Sequence, residues 1–176
     1  MIELLWKFVA RQVARPAVAK MILALVKRSP YIHIYNKTGE LYMSRWWLLK
    51  ERSWLPYAAR VHFIALPDDD RHHHDHPYDY RSIILKGCYA ERLLSGALTV
   101  VGKGQTVAHP AEHFHKIERI SLGGVVTLFI YRYKKVNNPW GFLTVNKAGS
   151  VVKQHWTKYL PTDSYPAQYL KKRGQK

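Results

Sequence analysis

At 176 residues with 47% apolar content, the chain suits one domain with terminal additions and carries enough apolar mass for a real core, which excludes two complete domains and a largely disordered chain. Its 28 lysines and arginines against 12 aspartates and glutamates leave a formal charge of +16, favouring nucleic acid, an anionic membrane surface or an acidic small molecule as partner. The single cysteine, Cys88, excludes an intrachain disulfide and any zinc-finger spacing, reads as a buried strand residue, and is compatible with the reducing cytoplasm where the protein is expected.

Residues 1–30 read as a basic amphipathic helical extension. Ile2 to Val26 is strongly apolar, but Lys7, Arg11, Arg15 and Lys20 interrupt it at helical intervals, so no span long enough to cross a bilayer is present. The order of charges and small residues does not match a secretory leader. Pro16 divides the segment into two helical pieces, because a proline inside a helix loses a donor and clashes with the preceding turn. The expectation is packing against the main domain or against a second copy in a homodimer; the rival is a helix lying on anionic lipid.

Residues 31–160 are expected to form the main domain. Tyr31 to Tyr35 predicts a short strand, Asn36 to Glu40 a turn centred on Thr38-Gly39, and Leu41 to Leu49 an aromatic strand with Tyr42, Trp46 and Trp47. Lys50 to Ala59, with Pro56, reads as irregular. Val61–Leu66, Arg81–Leu85, Cys88–Leu94, Leu98–Val101, Thr106–Ala108, Phe114–Ser121 and Val125–Tyr133 follow as short strands between turns, many of them marked by glycine. Asn137-Asn138-Pro139 is a turn before Trp140–Val145, and Val151–Tyr159 reads as a closing strand or helix. Many short strands without long intervening helices argue for a β-sandwich or barrel. Residues 161–176 read as a solvated basic tail.

The strongest chemical signal is Arg71-His72-His73-His74-Asp75-His76-Pro77. In an extended segment His72, His74 and His76 face one side while His73 and Asp75 face the other. Neutral imidazoles suit Fe(II), Ni(II), Zn(II) or Cu(II). His113-Phe114-His115, about forty residues later, offers a second same-face pair on a returning strand.

These two clusters carry a resemblance. Residues 60–142 resemble the cupin superfamily, especially small bacterial and phage cupin-like proteins with a His-Asp-His-Pro core. His74-Asp75-His76 matches the paired histidines of the first cupin motif, and Gly87 matches its glycine. Pro110-Ala111-Glu112-His113-Phe114-His115 offers the proline and metal histidine of the second, His115-Lys116-Ile117-Glu118 selecting His115 over His113, the alternative. Trp140-Gly141-Phe142 resembles a late aromatic signature. The resemblance implies a mainly β, cupin-like jelly-roll barrel around a divalent metal on His74, His76 and His115, with Fe(II) favoured and Zn(II), Ni(II) or Mn(II) as substitutes. One departure stands out: the usual cupin glutamate position holds Tyr80, and the neighbouring Asp79 has the opposite parity, which leaves it a role in orienting a histidine from outside.

Parity with His76 adds Tyr80 and Ser82, then Tyr89 and Glu91, to the cavity; parity with His115 adds Arg119. Tyr80, Glu91 and Arg119 are the catalytic candidates, as donor to a bound oxygen, proton carrier and two-pronged anion holder. A His-x-Asp element formed by His73 and Asp75 would select the opposite face and ranks lower. The leading expectation is a metal-dependent enzyme, an Fe(II) oxygenase of a small polar or anionic molecule. The alternative is a non-enzymatic metal- or ligand-binding cupin-like protein of phage origin. No helix-turn-helix, zinc finger or RNA-binding aromatic signature is present, so any nucleic-acid contact is expected to be non-specific.

Overall fold

The computed structural model describes residues 1–26, 30–36, 38–52, 54–68, 72–133 and 140–159. Lys134-Lys135, the Asn137-Asn138-Pro139 turn, Asp69-Asp70 and the basic tail 161–176 lie outside them.

Two helices lead the chain, α1 (Ile2–Val13) and α2 (Pro16–Val26). Pro16 is the first residue of α2, where its fixed φ suits the helix and its missing N–H removes nothing that the helix would use. Trp6, Val9, Ala10 and Val13 of α1, with Ala19, Ile22 and Val26 of α2, form one face. This is the 3–4-residue spacing of an amphipathic helix.

That face covers a six-stranded antiparallel sheet of order β1-β2-β3-β9-β4-β7, built from β1 (Pro30–Tyr35), β2 (Leu41–Leu49), β3 (Tyr57–Ile64), β4 (Tyr78–Lys86), β7 (Thr106–His109) and β9 (Val125–Tyr133). Ala59 and Val61 of β3, Ile83 and Leu85 of β4, and Val126 and Leu128 of β9 meet the helices. The alternate positions face inward. Ile64, Ile84 and Val125 there pack against Tyr89, Val101 and Ile117 of a three-stranded sheet, formed by β6 (Leu98–Gly102), β5 (Cys88–Leu93) and β8 (His115–Ile120) in the order β6-β5-β8. A hairpin of β10 (Gly141–Val145) and β11 (Val151–His155), followed by the short α3 (Trp156–Tyr159), completes the described fold.

The molecule is therefore mainly β with N-terminal helices, an architecture consistent with the cupin-like fold the resemblance implies. Among the described residues the pairings make two facing sheets with open edges, and no continuous ladder joins them into a barrel. Several local expectations shift. β3 begins at Tyr57, directly after Pro56 and inside the segment read as irregular. The segment 151–159 is both strand and helix, changing type at Trp156. Cys88 is half-buried, because it opens β5 beside the Gly87 turn. Gly87 itself has φ +77°, and a Cβ there would stand 2.5 Å from Ser121 Oγ and 2.6 Å from the Gly124 carbonyl oxygen. Only glycine meets both demands.

Candidate metal centre

Residues 72–77 lead into β4, and of these only His74 forms a strand-like bridge. Its N–H donates to the His115 carbonyl at 3.0 Å, and the His115 N–H donates back at 3.1 Å. The His76 N–H donates to Ala111 O at 3.1 Å. Between the two histidines, Asp75 is buried and points the other way. Its Oδ1 accepts the Gly141 N–H at 2.7 Å and its Oδ2 the Lys153 ammonium at 2.6 Å. One buried carboxylate thus ties the histidine segment to the β10–β11 hairpin. Gly141 is obligatory there, since a Cβ would lie 2.2 Å from Gln154 O. On the other side, Asp68 accepts the Tyr42 hydroxyl and, at 2.8 Å, the Ile117 N–H, fixing β8 two residues from His115. Asp79 accepts the Ala111 N–H at 2.9 Å and so anchors the loop that follows β7.

These anchors bring ligand atoms of His74, His76 and His115 within 4.8 Å of one another. His76 Nε2 and His115 Nε2 are 3.2 Å apart. Two nitrogens held about 2.0–2.1 Å from one ion, at angles of about 90–110°, lie about 2.8–3.4 Å apart, so the pair fits a shared divalent cation. The Tyr80 hydroxyl stands 3.1 Å from the same His115 nitrogen. Burial, with the neighbouring His74 and His115 and the Arg45 charge, holds His76 well below the usual imidazole range. A neutral ring is the form that binds a metal.

Behind His115 lies Glu91, 1% exposed. His115 Nδ1 is 2.9 Å from Glu91 Oε2, while His109 Nε2 is 3.0 Å from Oε1 and 3.2 Å from Oε2. Burial alone would raise this carboxyl, but the hydrogen bonds to His109 and His115 prevail and bring it down to about 2. As a carboxylate it only accepts, so both histidines donate, and with His115 held through Nδ1 its Nε2 is the nitrogen turned towards His76. Glu91, His109 and His115 also form a second group with ligand atoms within 4.8 Å. Together the two groups point to a divalent-metal site centred on His115.

The remaining expected residues separate clearly. His113 stacks on His109 with ring centroids 4.0 Å apart, belongs to neither group, and keeps a buried Nε2 without a hydrogen-bond partner. His72 is exposed and turned towards the Tyr159 hydroxyl, 2.8 Å from its Nδ1, because the segment before His74 leaves the strand-like course. His73 does not join Asp75 in a common site, since Asp75 is engaged by Gly141 and Lys153. Arg119 is exposed and stands 4.0 Å from the Glu118 carboxylate. A register shift between Ala90 and Glu91 sets Glu91 opposite Ile117 and Ala90 opposite Arg119, which breaks the simple alternation from His115. His109 was not among the expected site residues. Its signal was its position one residue before Pro110, at the end of β7.

The inner face beside the histidines also holds single polar atoms without a hydrogen-bond partner. His62 Nε2, Thr127 Oγ1 and Arg60 Nε are buried and unbonded. His62 and Thr127 face one another across β3 and β9, and the His62 ring stacks on Phe129 at 4.7 Å. Phe129 in turn is stacked on Tyr80, also at 4.7 Å.

No protein-family model matches the sequence, and no curated protein matches it. Among solved structures the chain is similar to the DMSP lyase DddQ from Ruegeria pomeroyi DSS-3, with 18% identity, 72% of this chain and 64% of that chain covered, and a TM-score of 0.49. It is also similar to the structure described as DMSP lyases RdDddP and RnDddQII, with 16% identity, 58% and 53% covered, and a TM-score of 0.46. The Cupin_2 domain of an XRE family transcriptional regulator from Enterobacter cloacae shows 12% identity, 53% and 99% covered, and a TM-score of 0.42. The chain thus spans 53% and 64% of the two lyase structures.

Proposed function

We propose that the protein is a cupin-like metalloenzyme that binds one divalent ion on His74, His76 and His115 and acts on a small anionic or polar molecule. The observation that carries this reading is the 3.2 Å separation of His76 Nε2 and His115 Nε2, with the opposite face of His115 held by Glu91. Fe(II) is the favoured ion and would supply one-electron chemistry with oxygen, whereas Zn(II) in its place would supply Lewis acidity alone.

The chain's own residues set the rest. Glu91 accepts from His115 Nδ1 and so orients the ring with Nε2 turned towards His76. Tyr80, whose hydroxyl burial holds protonated far above its usual range, donates a hydrogen bond towards the histidine cluster and can position a substrate oxygen there. Tyr78, Phe129 and Phe142 exclude bulk water around the rings of His74 and His76. His62 Nε2 and Thr127 Oγ1 are buried polar atoms on the same inner face, available to a polar group on the substrate.

Metal content of purified variants tests the assignment. His74→Ala, His76→Ala and His115→Ala should each lose the ion, and His113→Ala should keep it. Full occupancy in His115→Ala together with loss in His113→Ala would move the site. Oxygen uptake then tests the chemistry: with a bound substrate, the Fe(II) protein consumes oxygen and the Zn(II) protein does not. Tyr80 standing at the usual cupin glutamate position favours the second reading, a binding protein without turnover. A metal-loaded protein that binds ligands yet leaves them unchanged under every ion would select it.

A further inference from the structure

Both N-terminal helices use one face for the sheet, and their opposite faces are also apolar. On α1, Leu4, Leu5 and Phe8 are 70%, 60% and 59% exposed; on α2, Met21 and Leu25 are 57% and 66% exposed. Leu4, Phe8 and Arg11 follow one another at i, i+4 and i+7, and Met21 and Leu25 at i and i+4, so each set shares a side of its helix. None of these five large side chains belongs to the core that the inner faces build.

The charge around them has one sign. Lys7, Arg11, Arg15 and Lys20 are all exposed. The single carboxylate on the two helices, Glu3, is taken by Arg81 of β4, at 2.5 Å and 3.1 Å from the two guanidinium nitrogens. The outer surface of the helical pair therefore offers large apolar side chains and cations and no free carboxylate.

We propose that this surface docks the protein on a bilayer rich in anionic lipid, with Leu4, Leu5, Phe8, Met21 and Leu25 entering the headgroup–acyl boundary and the four cations meeting lipid phosphates. Helices of 12 and 11 residues lie on such a boundary; neither is long and apolar enough to cross it. A second copy of the chain fits less well, because joining two such faces brings eight cations together without a counter-charge. Nucleic acid would engage the cations and leave the apolar side chains in water. Lipid satisfies both.

The test is partition of the purified 176-residue protein onto vesicles of phosphatidylcholine alone and of phosphatidylcholine mixed with phosphatidylglycerol. The expected result is binding to the mixed vesicles, reversed by high salt and at least about tenfold weaker on phosphatidylcholine alone. The double variant Lys7→Glu/Arg11→Glu and the single variant Phe8→Ser should each weaken binding to mixed vesicles by about tenfold or more, with metal content and circular dichroism unchanged. Equal partition on both vesicle types, or no partition on either, overturns the proposal. So does a lipid-free dimer that Phe8→Ser abolishes, which would assign the surface to a second copy. Because Leu4, Leu5 and Phe8 lie outside the core, the variants should fold. The readout is independent of the metal-site reading.

Discussion

Glu91 and His115 are joined by a 2.9 Å hydrogen bond from Nδ1 to a carboxylate that is itself held in its ionised form, so a strand-to-strand contact in the core decides which nitrogen of His115 faces His76. The bond crosses from β5 to β8, and its geometry is that of a carboxylate orienting a metal-binding imidazole.

Replacing Glu91 with Gln keeps the volume and removes the charge. Metal affinity should fall by about 10–100-fold while the fold persists, because an amide cannot accept from both His109 and His115 with equal strength. Competition against a chelating indicator measures it. Unchanged affinity would reduce Glu91 to a packing residue.

Acid should destabilise the metal-free protein in two stages. His62 is held well below the usual imidazole range by burial and by the Arg45 and Arg60 charges, and His76 by burial and its neighbours. The unfolded chain takes up these protons as the pH falls through about 6.5 while the folded chain does not, so stability is full above that value and declines below it. Glu91, lowered to about 2, acts in the same sense at lower pH: its contribution is present above about pH 4.3 and disappears only as the pH falls towards 2. Thermal melts from about pH 8 to about pH 5 should slope less steeply for His62→Gln than for the natural protein. Equal slopes would remove His62 from the account.

Asp75→Ala leaves the buried Gly141 N–H without its acceptor and removes the Asp75 contact of Lys153. Loss of about 1–3 kcal/mol is expected in urea denaturation, the usual result of stranding a buried donor. Metal affinity should fall as well, since Asp75 fixes the backbone between two candidate ligands. A stable Asp75→Ala protein with normal affinity would show that the histidine segment holds its course without the hairpin.

Much of the succession of strands along the chain could be read from glycine turns and alternating apolar runs, because those signals are local, whereas their order within the sheets could not. β9, the most apolar run, lies between β3 and β4 with the long inner and outer faces that its composition suggests. The site was legible only where alternation survives. His74 and His76 lie on one side of Asp75, and the structure brings both to His115. Alternation fails at His72, where the strand-like course ends, and at Arg119, where the shift beside Glu91 resets the register. His109 and the role of Glu91 were hidden for a different reason. They meet through the packing of separate strands, 18 residues apart for that pair and 24 for Glu91 with His115, and no spacing rule encodes such a contact.

His74 and His115 exchange both backbone hydrogen bonds, and His74 also bridges to Phe142 at the start of the β10–β11 hairpin. Two side chains that would hold the ion therefore belong to the same backbone junction that fastens the histidine segment to β8 and to the hairpin. An ion shared by their imidazoles would act as a rivet through that junction, and its removal would be felt first as fraying there. Chelation should then open residues 140–155 to proteases and quicken amide exchange at His74 and His115, while β3 and β9, on the helix-covered sheet, stay closed.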